Sequence, residues 1–308
     1  MNAFGKKWTF TSFGESHGAA IGGVLDGVPA GLHIDFAMIR EELDRRAGKG
    51  IVGASTRAAN EPDEVEWLSG VLELTNEGVK ELTTLGTPIA FIIRNKNARP
   101  EDYEYLKHSY RVGHADKVYE QKYGLRDWRG GGRASARETA ARVVAGGIAR
   151  QELANKGISI QAQLVQVGAE TDPTKFAEVI EAYQKDGDSI GGIIEGRING
   201  LPVGTGEPIF DKLQAHLAFA VMSINACKGF EYGTGFGGVT HPGSAINAIS
   251  GGTSGGISDG TEVVFRCVFK PTPSTPKAGV KGRHDACVAT RAVPVVEAMT
   301  ALALVQFV

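Results

Sequence analysis

From Asp127 to Thr139 the chain reads Asp-Trp-Arg-Gly-Gly-Gly-Arg-Ala-Ser-Ala-Arg-Glu-Thr and runs directly into an apolar-periodic segment. Three adjacent glycines let the backbone take positive φ and come close to a ligand. Arg129, Arg133 and Arg137 add charge, and Ser135 supplies a hydroxyl where a helix should begin. A helix start offers unpaired N–H groups and the positive end of the macrodipole, and guanidinium forks make bidentate contacts to phosphate oxygens. The segment suits an anion; equally, a short Gly-rich loop can be a turn ahead of an N-capped, solvated helix. The P-loop ending Gly-Lys-Ser/Thr is absent, as is a Gly-x-Gly-x-x-Gly placed after a strand, so ordinary nucleotide-binding loops do not fit.

Two histidines stand in Gly-rich polar settings, His17 in Gly-Glu-Ser-His-Gly and His114 in Val-Gly-His-Ala-Asp, and His284 in Arg-His-Asp is a third. Imidazole titrates near neutral pH, so each is a candidate general acid, or else a partner for backbone groups at a tight turn. His33, His108, His216 and His241 lack such neighbours and read as structural or exposed. No His-x-x-x-His pair occurs, and Cys227, Cys267 and Cys287 show no Cys-x-x-Cys spacing, so no metal site or disulfide framework is expected. Arginines recur at turns: Arg45, Arg46, Arg111, Arg129, Arg133, Arg137 and Arg283. Brought around one cleft they would bind a substrate carrying phosphate and carboxylates; left apart they are solvated charge.

The elements that must position these groups are partly legible. Trp8 to Phe13 alternates as a strand and ends in the polar tip around His17; Ala20 to Asp26 is a second strand, closed by Gly-Val-Pro-Ala-Gly turn chemistry. Asp35 caps a helix to Arg46, Val65 to Val71 and Thr87 to Ile93 read as strands, and Arg94 to Lys107 as a polar surface connection. A helix with small residues on its stripe spans Arg137 to Ala154, followed by a strand from Ile158 to Val167 and a helix from Thr174 to Gln184. The opening pattern then returns. Asp188 to Gly204 echoes His17 to Gly31, the helix Phe210 to Ile224 answers Ala37 to Arg46, Gly282-Arg-His-Asp285 answers Gly113-His-Ala-Asp116, and the helix Arg291 to Leu304 answers Arg137 to Ala154. An internal duplication, with pseudo-repeats at about 1–157 and 187–308 of a single domain, is the economical reading. It predicts an α+β fold with helices packed with antiparallel sheets.

At 308 residues a large core is available, and a net charge of −2 argues against a nucleic-acid or membrane-surface protein. Any anion binding must be local. No charged-then-apolar leader precedes Gly5-Lys6-Lys7 and no run of eighteen apolar residues occurs, so a cytoplasmic enzyme is expected. The 42 glycines are about twice the usual ~7 % and sit in pairs beside charged and Ser residues, which predicts tight turns rather than disorder.

Eight segments together carry a resemblance. Phe13-Gly-Glu-Ser-His-Gly18, Arg111-Val-Gly-His-Ala-Asp116, Tyr119 to Gly124, Arg129 to Thr139, Met222-Ser-Ile-Asn-Ala226 with Lys228 to Glu231, Gly255-Gly-Ile-Ser258, Lys270-Pro-Thr-Pro-Ser274 and Gly282-Arg-His-Asp285 resemble those of the chorismate synthase family, in that family's order and over nearly the whole chain. The resemblance implies a β-α-β sandwich assembled as a homotetramer. The implied activity is a lyase converting 5-enolpyruvylshikimate 3-phosphate to chorismate by anti-1,4-elimination of phosphate, in the shikimate pathway to aromatic amino acids. Reduced FMN would be the cofactor, although the reaction has no net redox change. By position, His17 would protonate the departing phosphate and His114 would sit near the reduced flavin as its proton partner, while Asp285, with Ser16 and Ser135, would assist proton removal at the flavin ring. Arg46, Arg111, Arg137 and Arg283 would hold the substrate. Arg133, Ala134, Ser135, Asn225, Ala226, Gly255, Lys270, Pro271, Thr272, Pro273, Ser274 and Arg283 would contact FMN. No segment suggests a domain that could reduce flavin with NADPH, so an external reductant is expected.

The chain departs from the family pattern in places. Ala134 stands where Ser is usual, and Val112 and Ala286 where Pro is usual. Contractions are expected after Arg46, around Pro242 to Asn247 and between Ser274 and Gly282, where the family carries flaps over the site. Lys49 and Arg57 are candidate replacements for a substrate-binding arginine. A non-catalytic relative that keeps the flavin site but lacks the flaps, and an oligomeric anion-binding scaffold using the Gly-Arg loop alone, are the rival readings.

Overall fold

Successive side chains of a strand point to opposite faces, so Ile89, Phe91 and Ile93 of Ile89-Ala-Phe-Ile-Ile-Arg94 share one face, and all three are fully buried. The computed structural model describes residues 1–55, 59–76, 79–246, 251–280 and 284–308. The strands are β1 (Ala3–Phe4), β2 (Thr9–Phe13), β3 (Ala20–Asp26), β4 (His33–Ile34), β5 (Val65–Ser69), β6 (Val71–Asn76), β7 (Val79–Thr84), β8 (Ile89–Arg94), β9 (Ser159–Val167), β10 (Gly192–Asn199), β11 (Cys227–Tyr232), β12 (Thr253–Ser254), β13 (Ile257–Ser258) and β14 (Val263–Phe269). The longer helices are α1 (Phe36–Ala47), α2 (Asp116–Tyr123), α3 (Thr139–Asn155), α4 (Phe176–Lys185), α5 (Leu213–Met222) and α6 (Ala289–Leu304).

Two antiparallel sheets, ordered β1-β2-β3-β8-β5 and β11-β14-β10-β9, enclose a helical layer. Helix α3 packs on β2, β3 and β8 of the first sheet and reaches β9 of the second, while α6 packs on β9 and β10. The fold is therefore α+β, with helices packed with antiparallel sheets. A helix covered from two sides has to be apolar nearly all round, and α3 is: Ala140, Ala141, Val143, Val144, Ala145, Gly146, Gly147, Ile148 and Ala149 are all buried.

The small residues on α3 set the spacing. A Cβ on Gly146 would lie 2.3 Å from the Ala298 Cβ and 2.4 Å from its Cα, so the two central helices touch backbone to backbone there. Charge then locks their orientation relative to α1. Glu297 of α6 accepts from Arg45 of α1 at 2.8 Å, from Arg150 of α3 at 3.3 Å and from the Ala162 N–H of β9 at 2.9 Å. Glu42 takes the other hydrogen bonds of the same arginines, at 2.6 and 2.7 Å. Burial, together with the Glu297 charge, raises the Glu42 carboxyl above its ordinary value.

Helix α1 begins as its sequence requires, with Asp35 Oδ1 accepting from the Met38 N–H at 3.1 Å. It ends at Gly48 in the left-handed conformation, with Arg45 and Arg46 in the last turn, where cations suit the helix dipole. Other elements differ from the sequence reading. The strand expected from Val65 to Val71 breaks at Gly70 into β5 and the start of a β6–β7 hairpin. The polar stretch after Arg94 holds a 3₁₀ helix, Pro100–Leu106, whose Tyr103 and Leu106 are buried. The helix expected from Phe210 starts at Leu213, leaving Phe210 exposed. Strands β11 and β14 and helix α2 were not legible in the sequence. No helix among the described residues is long and apolar enough to cross a membrane.

Gly146→Ala should lower the thermal midpoint despite the better helix propensity of Ala, since the overpacking cost of about 1–3 kcal/mol exceeds the ~1 kcal/mol propensity gain. A thermal denaturation curve showing equal or greater stability would mean the helices separate freely at this contact.

Candidate active site

One cleft of about 830 Å³ opens where the Gly-rich segment, the end of α1, the turn after α5 and the segment after β14 meet. Its wall includes Arg46, Arg111, Arg133, Arg137, Arg142, Arg291 and Lys270. Such a volume is ordinary for a ligand site. Seven cations on one wall, in a chain of net charge −2, are not accidental composition.

The Gly-rich segment separates two histidines. A Cβ on Gly130 would fall 2.0 Å from His17 Cε1 and Nδ1, and one on Gly131 would fall 2.6 Å from His114 Cε1. Both glycines have positive φ, +60° and +89°. Glycine is required here for backbone conformation and for space. Beyond them two short 3₁₀ turns, Gly132–Ala134 and Ala136–Glu138, lead into α3, with Ser135 Oγ accepting from the Arg137 N–H at 3.3 Å.

His17 is buried behind this wall. Its Nδ1 lies 3.0 Å from Ser16 Oγ, which also donates to the Gly130 carbonyl at 3.3 Å, and its ring meets Tyr103 edge-on at 4.8 Å between centroids. Tyr103 and Gly130 line the cleft, whereas His17 and Ser16 stand just outside it. His114 lies in the cleft, with Nδ1 2.8 Å from Asp116 Oδ1. A carboxylate only accepts, so Nδ1 carries the proton and Nε2 is the nitrogen left to exchange with a substrate. Arg111 fixes the same carboxylate through Nε and Nη2 at 2.9 and 2.8 Å. Burial alone would raise the Asp116 carboxyl, but the hydrogen bonds from Arg111 and His114 overcome it and hold it far below the carboxylate range.

Arg46, Arg137, Arg142 and Arg291 are also backed by carboxylates. Arg46 Nη2 donates to Asp63 Oδ2 at 2.6 Å and Arg137 Nη1 donates to Asp63 Oδ1. Burial would raise the Asp63 carboxyl, but the two arginines hold it below its ordinary value. Burial lowers Arg46 to about 10, opposed by Asp63 and reinforced by Arg291 and Arg137. Asp285 accepts Arg291 Nη1 on both oxygens, at 2.7 and 2.6 Å, and the Ser55 N–H at 2.8 Å; Arg291 Nε reaches the Arg46 carbonyl at 2.8 Å.

Of the expected site residues, Arg46, Arg111, His114, Arg133, Ala134, Ser135, Arg137, Asn225, Ala226, Lys270, Thr272, Pro273, Ser274 and Asp285 all line the cleft. Pro271 belongs to the same segment without lining it. Gly255 lies in the β12–β13 hairpin, whose Gly256 carbonyl receives the Leu213 N–H of α5, and it lines no part of the cleft. Arg283 and Arg57 lie outside the described residues. Arg133 donates to Ser12 Oγ at 2.5 Å and to the Gly14 carbonyl at 3.2 Å, so it ties the loop to the end of β2. Arg129 turns onto Asp127 and is not in the wall, and Lys49 pairs with Asp44 at 2.6 Å. Asp63, Asp116, Tyr103, Arg142 and Arg291 were not singled out from the sequence. Asp116 alone carried a signal, as the last residue of the His-Ala-Asp motif.

Among the polar atoms of cleft residues that are buried without a hydrogen-bond partner among the described residues are Asn225 Oδ1, Ser274 Oγ and His284 Nε2. Buried polar groups left unmatched invite a ligand that matches them. Burial, with the Arg111 charge adding to it, lowers the His284 imidazole below its ordinary value and favours the neutral ring. No group of acidic, His or Cys side chains suited to a metal ion occurs among the described residues.

Comparison with known proteins gives one answer. The family model for chorismate synthase matches residues 8–308. Chorismate synthase of Christiangramia forsetii is 44 % identical over 355 aligned positions, covering 99 % of this chain and 97 % of that protein. That of Phocaeicola vulgatus is 43 % identical over 361 positions, covering 100 % and 97 %. A crystal structure of chorismate synthase superposes with a TM-score of 0.74 at 29 % identity, over 99 % of this chain and 92 % of that one. Alignments of 355 and 361 positions against a 308-residue chain require gaps in this chain, in keeping with the expected contractions.

Gly130→Ala should reduce turnover by about 100-fold, the order expected for a displacement near 1 Å of a positioned catalytic group, with the fold retained by circular dichroism. Unchanged turnover would show that His17 can move freely. Asp116 has its folded pKa depressed, so its contribution is full above the unfolded value near 3.9 and is lost as pH falls through the folded one. Asp116→Asn should therefore flatten the decline of the thermal midpoint as pH drops below about 5, a difference read by paired melts at pH 7 and pH 3.

Proposed function

Because this chain belongs to the chorismate synthase family, whose function is the formation of chorismate, we propose that it forms chorismate from 5-enolpyruvylshikimate 3-phosphate by anti-1,4-elimination of phosphate with reduced FMN bound. The observation that carries the reading is the wall of seven cations beside two separated histidines. The substrate has a phosphate and two carboxylates, and the leaving group departs as an anion. Preorganised cations in a site shielded from water stabilise that developing charge.

The elimination breaks a C–O bond to phosphate and a C–H bond at opposite ends of an allylic unit, shifts the double bond, and leaves no net oxidation. A reduced flavin, when bound, supplies transient electron density to the substrate. Arg46, Arg111 and Arg137, with Arg283, bind and orient the anionic groups. His17 gives a proton to the departing phosphate, with Ser16 Oγ holding its Nδ1. His114 exchanges its proton at Nε2, since Asp116 occupies Nδ1. Asp285, with Ser16 and Ser135, would assist proton removal at the ring of a bound flavin, and Arg291 fixes its orientation.

The flavin fits the residues present. An isoalloxazine edge carries both N–H and C=O groups, and the unmatched Asn225 Oδ1, Ser274 Oγ and His284 Nε2 offer complementary acceptors and a donor. Arg133, Ala134, Ser135, Ala226 and Lys270 to Ser274 complete the proposed flavin contacts, from which Gly255 stands apart in the β12–β13 hairpin. The protein works in the cytoplasm as a homotetramer, each chain a single domain with an internal duplication, and takes its reduced flavin from an external reductant.

Anaerobic phosphate release with photoreduced FMN tests the activity. The unaltered chain should release phosphate only with reduced flavin, and His114→Ala and His17→Ala should each lower the rate by about 10²–10⁴-fold. NADPH should not be oxidised by the protein plus FMN. The alignment gaps favour one second reading, a relative that binds flavin without turnover; FMN binding with no phosphate release would establish it and overturn the first.

A further inference from the structure

Arg46 and Arg137, two strongly buried arginines of the cleft wall, converge on one carboxylate. Arg46 arrives from the last turn of α1 and Arg137 from the 3₁₀ turn before α3, and each donates to a different oxygen of Asp63. Asp63 is 1 % exposed and does not itself line the cleft, so it grips both guanidinium groups from behind. Its φ is +46°, a left-handed conformation that a short polar side chain tolerates and most other residues do not. The second set of contacts points the same way. Arg137 Nε donates to Asn95 Oδ1 at 2.9 Å, and Asn95 is anchored in turn on the carbonyls of Glu15 and Gly18 at 3.0 and 2.9 Å, beside His17. Arg46 Nε is buried without a partner among the described residues.

Two adjacent guanidinium groups, with Arg291 a third nearby, repel one another and drift apart unless an anion holds them. An anionic substrate could do this only while bound. We propose that Asp63 is the positioning residue of the anion site: it fixes the orientation of Arg46 and Arg137 before substrate arrives and limits the pair to one net positive charge. That limit matters for a reaction that produces free phosphate, because an unneutralised pair would retain the product. The inference rests on the reading of this cleft as a phosphate-eliminating site.

The test measures inorganic phosphate binding by calorimetry and, separately, turnover, for the unaltered chain and for Asp63→Asn and Asp63→Glu. Asp63→Asn removes the negative charge and keeps the size. It should bind inorganic phosphate at least about tenfold more tightly, the scale of one charge within a few ångströms, while kcat falls at least about tenfold. A merely structural residue would instead weaken phosphate binding in step with the thermal midpoint. Asp63→Glu keeps the charge and shifts the carboxylate by one methylene. Its phosphate affinity should stay within about twofold of the unaltered chain while kcat falls, which also carries the test if the Asn variant does not fold. Phosphate affinity unchanged or weaker in a folded Asn variant, or unchanged kcat in the Glu variant, overturns the proposal. Absence of turnover in the unaltered chain would instead sink the reading of function, leaving the phosphate isotherms to decide the role of Asp63.

Discussion

Mutual repulsion among cations crowded into one cleft is the constraint the rest of this structure answers. Arg46, Arg137, Arg111 and Arg291 are each at least nine-tenths buried at the side chain, where unpaired charge is expensive. Each is therefore met by a carboxylate: Asp63 for Arg46 and Arg137 and Asp116 for Arg111, both from behind the wall, and Asp285, itself in the wall, for Arg291. Removing one partner of such a buried pair typically costs about 3–5 kcal/mol, because the remaining charge is left uncompensated. The arrangement supplies the cleft with fixed donors instead of mobile side chains, which is what stabilisation of a departing anion needs.

Those pairs hold only if the elements carrying them do not move relative to one another. Arg46 closes α1, Arg137 precedes α3 and Arg291 begins α6, so the three helices fix the relative positions of the three cations. The close approach of α3 and α6 at Gly146 and Ala298, and the Glu42–Glu297 cluster that binds Arg45 and Arg150, make a rigid frame from helices whose own propensities are unremarkable. The ion cluster and the small-residue contact lie in the helical layer between the sheets, and the cleft opens beside that layer.

The Gly-rich segment shows how one local feature serves two purposes. Its glycines were legible as sites of close approach, but the partners were not: the backbone presses on His17 from one side and on His114 from the other. Arg129 and Arg133, which look equivalent to Arg137 in sequence, do different work, one pairing with Asp127 and the other tying the loop to Ser12. A guanidinium beside glycine is thus no guarantee of a place in the cleft wall, which Arg133 has and Arg129 lacks.

The sequence by itself determined the local events. Asp35 and Gly48 bound α1 because capping chemistry is carried by the residues at the ends. The alternation of β2 and the small-residue stripe of α3 were visible because a period is a property of the chain alone. The motif set also placed most residues that line the cleft. Tertiary structure alone decided what depends on distant pairings. Asp63 looks like any acidic residue near a Pro, and becomes central only when α1 and the turn before α3 bring two arginines to it. Tyr103 sits in a stretch polar enough to read as surface, yet it is buried because His17, 86 positions away in the chain, packs its ring there. Partners chosen by folding leave no local period, cap or spacing from which to read them.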